Sequence, residues 1–299
     1  LYVTNHHHTI KEFSGLPRIS CAEGKKPNKT DLNQPTMKKF LLLLPVIWAC
    51  KQEPAPPPEN PQNSTLSPSS GTSLSSVPAA GTVTFSGYTW TVKSGTALGP
   101  GPNTWDTKNV WVDASGFMHL KLSYDSIAAK WICAGVTSAQ NFGYGTYQWM
   151  IQGPASTLDK NVVAGLFHYS GPDGYNEMDV EFARWGDAAK PNVNFSVYPA
   201  SGTTGKEQHA TYNWLQSDGT SSTHRYSWTS SSVVFKSMNG FHDDDTNLFF
   251  THTFIPPVTV IPTAAMPVKL NLWCFRGMAP TDGKTVELVI RSFKFTPAS

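Results

Sequence analysis

Charge is scarce in this chain. Of 299 residues only 23 are Lys or Arg and 21 are Asp or Glu, giving a formal net charge of +2. So near neutral a balance gives no electrostatic footprint for nucleic acid, and no long basic run supplies one locally. Cysteine is rare too, and four residues are too few to build a disulfide scaffold. No segment keeps a 3.6-residue apolar period for long, and no apolar run is long enough to span a bilayer. Gly, Ser, Thr, Asn and aromatic residues take their place, the aromatics alone reaching 12%. Such a composition suits an extracellular β-protein that handles neutral ligands.

Before residue 81 the chain carries no pattern of a folded domain. Residues 1–36 read as an upstream extension, and the adjacent His6, His7 and His8 lack the other ligands a metal site needs. MKKFLLLLPVIWAC (37–50) opens on two lysines, runs through an apolar core and ends at Cys50. It resembles a bacterial lipoprotein signal, which implies cleavage, acylation of Cys50 and a lipid-anchored protein of the bacterial cell envelope. Residues 51–80 are dominated by Pro, Ser and Thr, with too little apolar surface to offset chain ordering, and read as a tether.

From residue 81 to 299 the character changes. VTFSGYTWTV, NVWVDASGFMHLKL, GTYQWMIQG, VNFSVYP, SVVFKSMNG, VKLNLWCF and KTVELVIRSFKF are short β-rich runs separated by Gly, Pro, Asn and Asp clusters. They predict a single all-β domain, a two-sheet antiparallel β-sandwich.

One run carries chemistry. NEMDVEFARWGD (176–187) sets Glu177, Asp179 and Glu181 at alternate positions. In a strand that period puts all three carboxylates on one face and Met178, Val180 and Phe182 on the other. Stacked like charges repel, so a merely solvated face is a poor explanation. Continuing the alternation puts Trp185 on the carboxylate side, where a sugar ring could stack. At about 3.3 Å per residue the Glu177 and Glu181 Cα atoms lie about 13 Å apart, and inward-leaning side chains leave about 6 Å between carboxyls. Retaining glycosidases use about 5–5.5 Å and inverting ones about 6.5–9.5 Å, so the estimate falls nearer retention. Three carboxylates so crowded cannot all ionise at neutral pH, and one is held protonated.

E-M-D-V-E-F resembles the signature of glycoside hydrolase family 16. FGYGTYQWMIQ (142–152), GLFHYSGPDGYNEMDVEF (165–182) and VKLNLWCFRG (268–277) extend the resemblance to about residues 82–297. It implies a concanavalin-like jelly roll with a concave substrate cleft. It also implies Glu177 as nucleophile, Glu181 as acid/base and Asp179 as the carboxylate that tunes both. The spacing is that of the unbulged branches of the family. Tyr169, Tyr175, Asn271 and Trp273 fall where the family contacts sugar, and Asn194 on the neighbouring strand replaces a family polar residue. His168, near the cleft, is expected to orient a neighbour or a substrate hydroxyl.

The departures are as informative. Gly135 and Thr137 stand where lichenases carry a Glu and an Arg, and Arg184 and Trp185 have no standard lichenase counterpart. Cys133 lacks the family's usual disulfide partner, and Cys274 could pair with it only from a neighbouring strand. Asp243, Asp244 and Asp245 lack EF-hand spacing and read as a solvated loop. No cofactor is expected, with a structural Ca²⁺ left open. The expected activity is retaining endo-hydrolysis of a β-linked, β-glucan-like polysaccharide by a monomer. The rivals are a surface glycan-binding lipoprotein on the same fold and a transglycosylase.

Overall fold

The computed structural model describes residues 81–217, 219–256 and 260–299. The expectations for the extension, the signal, Cys50 and the tether lie outside the described residues. The described chain folds as two antiparallel sheets, and in both the strands are the β-branched and aromatic runs of the sequence.

The front sheet contains β1 (Thr82–Phe85), β2 (Tyr88–Val92), β7 (Lys130–Phe142), β9 (Val162–Tyr169), β10 (Glu177–Phe182), β11 (Val193–Tyr198), β12 (Gln208–Tyr212) and β16 (Met266–Cys274). Its spatial order is β1-β2-β7-β16-β9-β10-β11-β12. The back sheet runs β5 (Val110–Val112), β6 (Met118–Asp125), β17 (Val286–Pro297), β8 (Gly145–Gln152), β13 (Ser221–Trp228), β14 (Val233–Asn239) and β15 (Leu248–Phe254). The short β3 (Gly95–Leu98) and β4 (Asn103–Trp105) close one end, β4 lying parallel to β7. Neighbours such as β16 and β9 lie far apart in sequence, as a jelly-roll-like sandwich requires.

Between the sheets lies an aromatic core. Trp149, Trp228, Tyr147, Tyr226, Phe182, Phe195 and Phe235 are fully buried. Phe195 of the front sheet stacks on Phe235 of the back, ring centroids 4.7 Å apart. Phe182 meets His224 edge-on, also at 4.7 Å. Burying each large ring contributes about 1.5–3 kcal/mol, so this layer fixes the face that every front strand turns inward.

That constraint decides the fate of His168. It pairs with Met178, and in antiparallel register paired residues share a face, so His168 points into the core with Met178. It is fully buried, meets the Tyr147 ring at 4.5 Å and shares a hydrogen bond between Nδ1 and the Tyr226 hydroxyl. Burial pushes its pKa down to about 3, keeping the imidazole neutral. The expectation of a substrate-side role for His168 is therefore corrected: it is a core residue.

Candidate active site

β10 pairs without interruption on both edges, Glu177 to Phe182 matching Tyr198 to Val193 on β11 and Tyr169 to Ala164 on β9. With no bulge, the period of two holds through the strand. Met178, Val180 and Phe182 are fully buried in the core. Glu177, Asp179 and Glu181 occupy the opposite face, the two glutamates half-buried and Asp179 only 3% exposed.

Register then dictates what surrounds each carboxylate. Glu177 lies between Tyr169 and Tyr198, Asp179 between Phe167 and Ser196, and Glu181 between Gly165 and Asn194. One strand further out, Asn271 of β16 pairs with Gly165, and Lys269 pairs with Phe167. The Asn271 side chain packs across Gly165, where a Cβ would come within 2.7 Å of its Oδ1. Gly165 is thus the gap that lets Asn271 lie beside the Glu181 row. Its Oδ1 is buried and has no partner among the described residues.

Burial dominates the electrostatics. Loss of solvent raises Glu177 to about 7, opposed by a hydrogen bond with Asp179 and by the Lys269 charge. Burial, reinforced by the negative charge of Glu177, raises Glu181 to about 8. Asp179 is held well above the carboxylate range, first by burial and then by the charges of Glu177 and Glu181. The shared hydrogen bond stabilises charge on Glu177 and the proton on Asp179. Asp179 therefore donates and Glu177 accepts. Burial favours the protonated form at both ends of the row, while the Asp179 hydrogen bond and the Lys269 charge favour ionisation at the Glu177 end, the direction of asymmetry that glycoside chemistry uses.

The predicted binding residues separate into groups. Tyr169 stands beside Glu177, its hydroxyl donating to Asp173 at 2.7 Å and its ring lying 4.8 Å from Lys269 Nζ. Asn194 stands beside Glu181. Trp273 shares the outward face of β16 with Asn271, yet it is only 6% exposed, and its Nε1–H has no partner among the described residues. Tyr175 stays in the loop before β10, where its N–H donates to Pro172 O.

Trp185 reaches the site by another route than strand alternation. β10 ends at Phe182, and Trp185 sits at φ 54 in a turn where Asp187 N–H donates to Arg184 O. A bulky residue in the left-handed region costs on the order of 1–3 kcal/mol and persists only where its surroundings hold it. Here its indole N–H donates to Asn194 Oδ1 at 3.2 Å and its ring meets Phe275 edge-on at 5.7 Å. Asn194 is fixed in turn, donating from Nδ2 to Ala183 O. Trp185, Asn194 and Glu181 line one groove of about 560 Å³ with Ser196, Tyr198 and His209.

Among the site residues that escaped sequence reasoning, two stand next to the carboxylates. Tyr198 faces all three carboxylates, and burial together with their charges holds its hydroxyl protonated. Lys269 supplies the positive charge beside Glu177. Their signal was register across neighbouring strands, which one strand's pattern does not carry. Cys133 and Cys274, on the adjacent β7 and β16, are buried free thiols.

The geometry is matched by likeness to known proteins. The family model described as Glycosyl hydrolases family 16 matches residues 102–286. A β-glucanase of Paenibacillus polymyxa is 30% identical over 199 residues, 65% of this chain and 74% of that protein. Among solved structures, a Bacillus licheniformis β-glucanase superposes with a TM-score of 0.53 at 22% identity, covering 74% of this chain and 94% of that one. A Mycobacterium tuberculosis protein described as an immunostimulatory antigen and pseudo β-1,3-glucanase gives 0.54 at 16% identity, covering 75% and 94%. These two structural likenesses speak for the fold alone. The family match, which spans most of the chain, decides the rest: the chain belongs to family 16 of the glycosyl hydrolases and is a glycoside hydrolase.

Proposed function

We propose that the protein cleaves a β-glucan-type polysaccharide internally and with retention, through a glycosyl-enzyme ester on Glu177. The observation that carries this reading is the split along β10. Glu177, relieved by the Asp179 hydrogen bond and Lys269, is the more readily ionised end, and Glu181 the more firmly protonated one. Glu177 attacks the anomeric carbon as Glu181 gives its proton to the departing oxygen. Glu181 then takes a proton from the water that releases the sugar. Asp179 holds its proton against Glu177 and limits charge accumulation on the strand. Asn271, whose side chain lies across Gly165 beside the Glu181 row, is suited to a substrate hydroxyl.

The test is a panel of mixed-linkage, β-1,3- and β-1,4-glucans, xyloglucan and galactans with reducing-end detection, with NMR of the first-formed anomer. Retained configuration on a β-glucan is expected. Inverted product, or binding of glycans without any cleavage, would overturn the reading. The same reading attaches the enzyme to the envelope through acylated Cys50, supported by the MKKFLLLLPVIWAC segment. Cys50→Ser should then move it from the detergent phase to the aqueous phase, and no change in partition would refute the anchor.

A further inference from the structure

The hairpin between β6 and β7 ends in a tip that folding does not explain. Asp125 pairs with Lys130, and Ser126, Ile127, Ala128 and Ala129 form the loop between them. Turns favour Gly, Asn, Asp and Ser, yet three consecutive positions of this one are apolar. Ala129 even holds φ 50, where Gly or Asn is usual. Ile127 is 98% exposed, so it adds nothing to the core. One step behind the tip Tyr124 pairs with Trp131, the tyrosine exposed and the tryptophan half-buried. The loop is nonetheless held in shape. Asp125 Oδ1 accepts from the N–H groups of Ile127 and Ala128, both at 3.0 Å, and Oδ2 pairs with Lys108. Both oxygens of Asp125 are thus engaged, while Lys130 opposite it stands exposed.

A small apolar projection backed by amphipathic aromatics and a lysine has the chemistry of a bilayer interface. There Ile enters the acyl boundary, and Tyr, Trp and Lys stay among the headgroups. The rings of Tyr124 and Trp131 are tilted by 57° with centroids 5.9 Å apart, so they offer no flat platform to a sugar chain. Position in the fold favours a membrane too. β1 pairs with β2 and β2 with β7, both antiparallel, so β1 runs in the direction of β7 and its first residue is the one nearest the hairpin end. The segment bearing Cys50 joins the domain there. We propose that the β6–β7 tip, centred on Ile127, seats in the headgroup layer of the anionic bilayer to which Cys50 attaches the chain, and so fixes the attitude of the domain on that surface. The cleft stays clear of the lipid. Gly135 is level with Glu181 through Asn271 and Gly165, and it lies about 16 Å along β7 from Lys130. The proposal rests on the anchor reading for the presence of a bilayer and is independent of the hydrolase reading.

The experiment places a nitrobenzoxadiazole label on Ser126→Cys, beside Ile127, or on Ser201→Cys, beyond β11 at the opposite end of the front sheet, Cys133 and Cys274 being buried. The full acylated chain is mixed with phosphatidylethanolamine and phosphatidylglycerol vesicles that carry shallow nitroxide lipids. Quenching and blue-shifted emission are expected at position 126 and neither at 201. Ile127→Glu should lose both signals while hydrolysis of a soluble β-glucan stays unchanged. Equal quenching at the two positions, or quenching that survives Ile127→Glu, would overturn the proposal. So would a label that ignores lipid and responds instead to insoluble β-glucan or to a second copy of the chain. If mass spectrometry finds no lipid on Cys50, the anchor reading fails alone, and the same comparison with vesicles added to that protein still decides the hairpin.

Discussion

Two acidic triplets lie within seventy residues of each other and behave oppositely. Glu177, Asp179 and Glu181 are withdrawn from solvent, and burial lifts all three above the ordinary range. Asp243, Asp244 and Asp245 are exposed, and all three are lowered. Asp243 is lowered first by a hydrogen bond from Gln148, Asp244 by the Thr246 backbone and Asp245 by Lys236. Arg225 and Lys236 both pair with Asp245, and Lys294 with Asp243. The first cluster sits against the core, with Lys269 beside Glu177, and the second is exposed among cations. A run of carboxylates acquires chemistry only where solvent and counter-charge are withheld.

Removing the carboxylates tests the contrast most severely. Glu177→Ala should lose nearly all turnover and be partly rescued by azide with inverted product. Glu181→Ala should lose about 10²–10⁴-fold, less on activated aryl glycosides, with azide giving retained product. Steady-state rates and product anomers check both, and wild-type turnover in Glu177→Ala would make β10 a binding surface.

The pH profile sharpens the comparison. Below about 7 Glu177 gains a proton and ceases to attack, and above about 8 Glu181 loses the proton it must give. kcat/KM should therefore form a narrow bell near neutrality whose limbs belong to the coupled row. Asp179→Asn replaces the O–H donor to Glu177 with a weaker amide, so the acidic limb should move to higher pH and the maximum fall. An unmoved limb would remove Asp179 from this role.

A smaller effect concerns stability. Glu181 binds its proton more tightly in the folded chain, so between its ordinary value of 4.5 and about 8 its contribution to stability falls as pH rises. Glu181→Gln should therefore raise Tm at pH 8.5 and leave it unchanged at pH 4. Relief of about 1 kcal/mol corresponds to about 2–4 °C in a domain of this size. Calorimetry at the two pH values decides. Smallest of all, Asp245→Asn should stay within about 0.5 kcal/mol of wild type, with kcat/KM unchanged, because its ion pairs are exposed.

Much of this was legible beforehand. β-rich runs between turn clusters specify the sandwich, and alternation along NEMDVEF specifies which carboxylates share a face. Adjacent His168 and Tyr169 cannot face one way in a strand, so alternation itself sends one of the two into the core. Trp185 was expected on the correct side, but it comes there through a left-handed turn that a period of two does not describe. Tyr198 and Lys269 depend on which strands become neighbours and in what register. Long-range pairing settles that, and a single chain's local pattern is silent on it.

Gly165 has no side chain and touches no substrate in the proposed reaction. Yet the space above its Cα is filled by Asn271. In a scan of every substitution along the gene, position 165 should read as intolerant as a catalytic position, with even alanine depleted. Its loss would register as displaced Asn271 and lost activity in protein that still folds. A genetic map of essential positions would then trace the shape of the cleft floor as well as the groups that react on it.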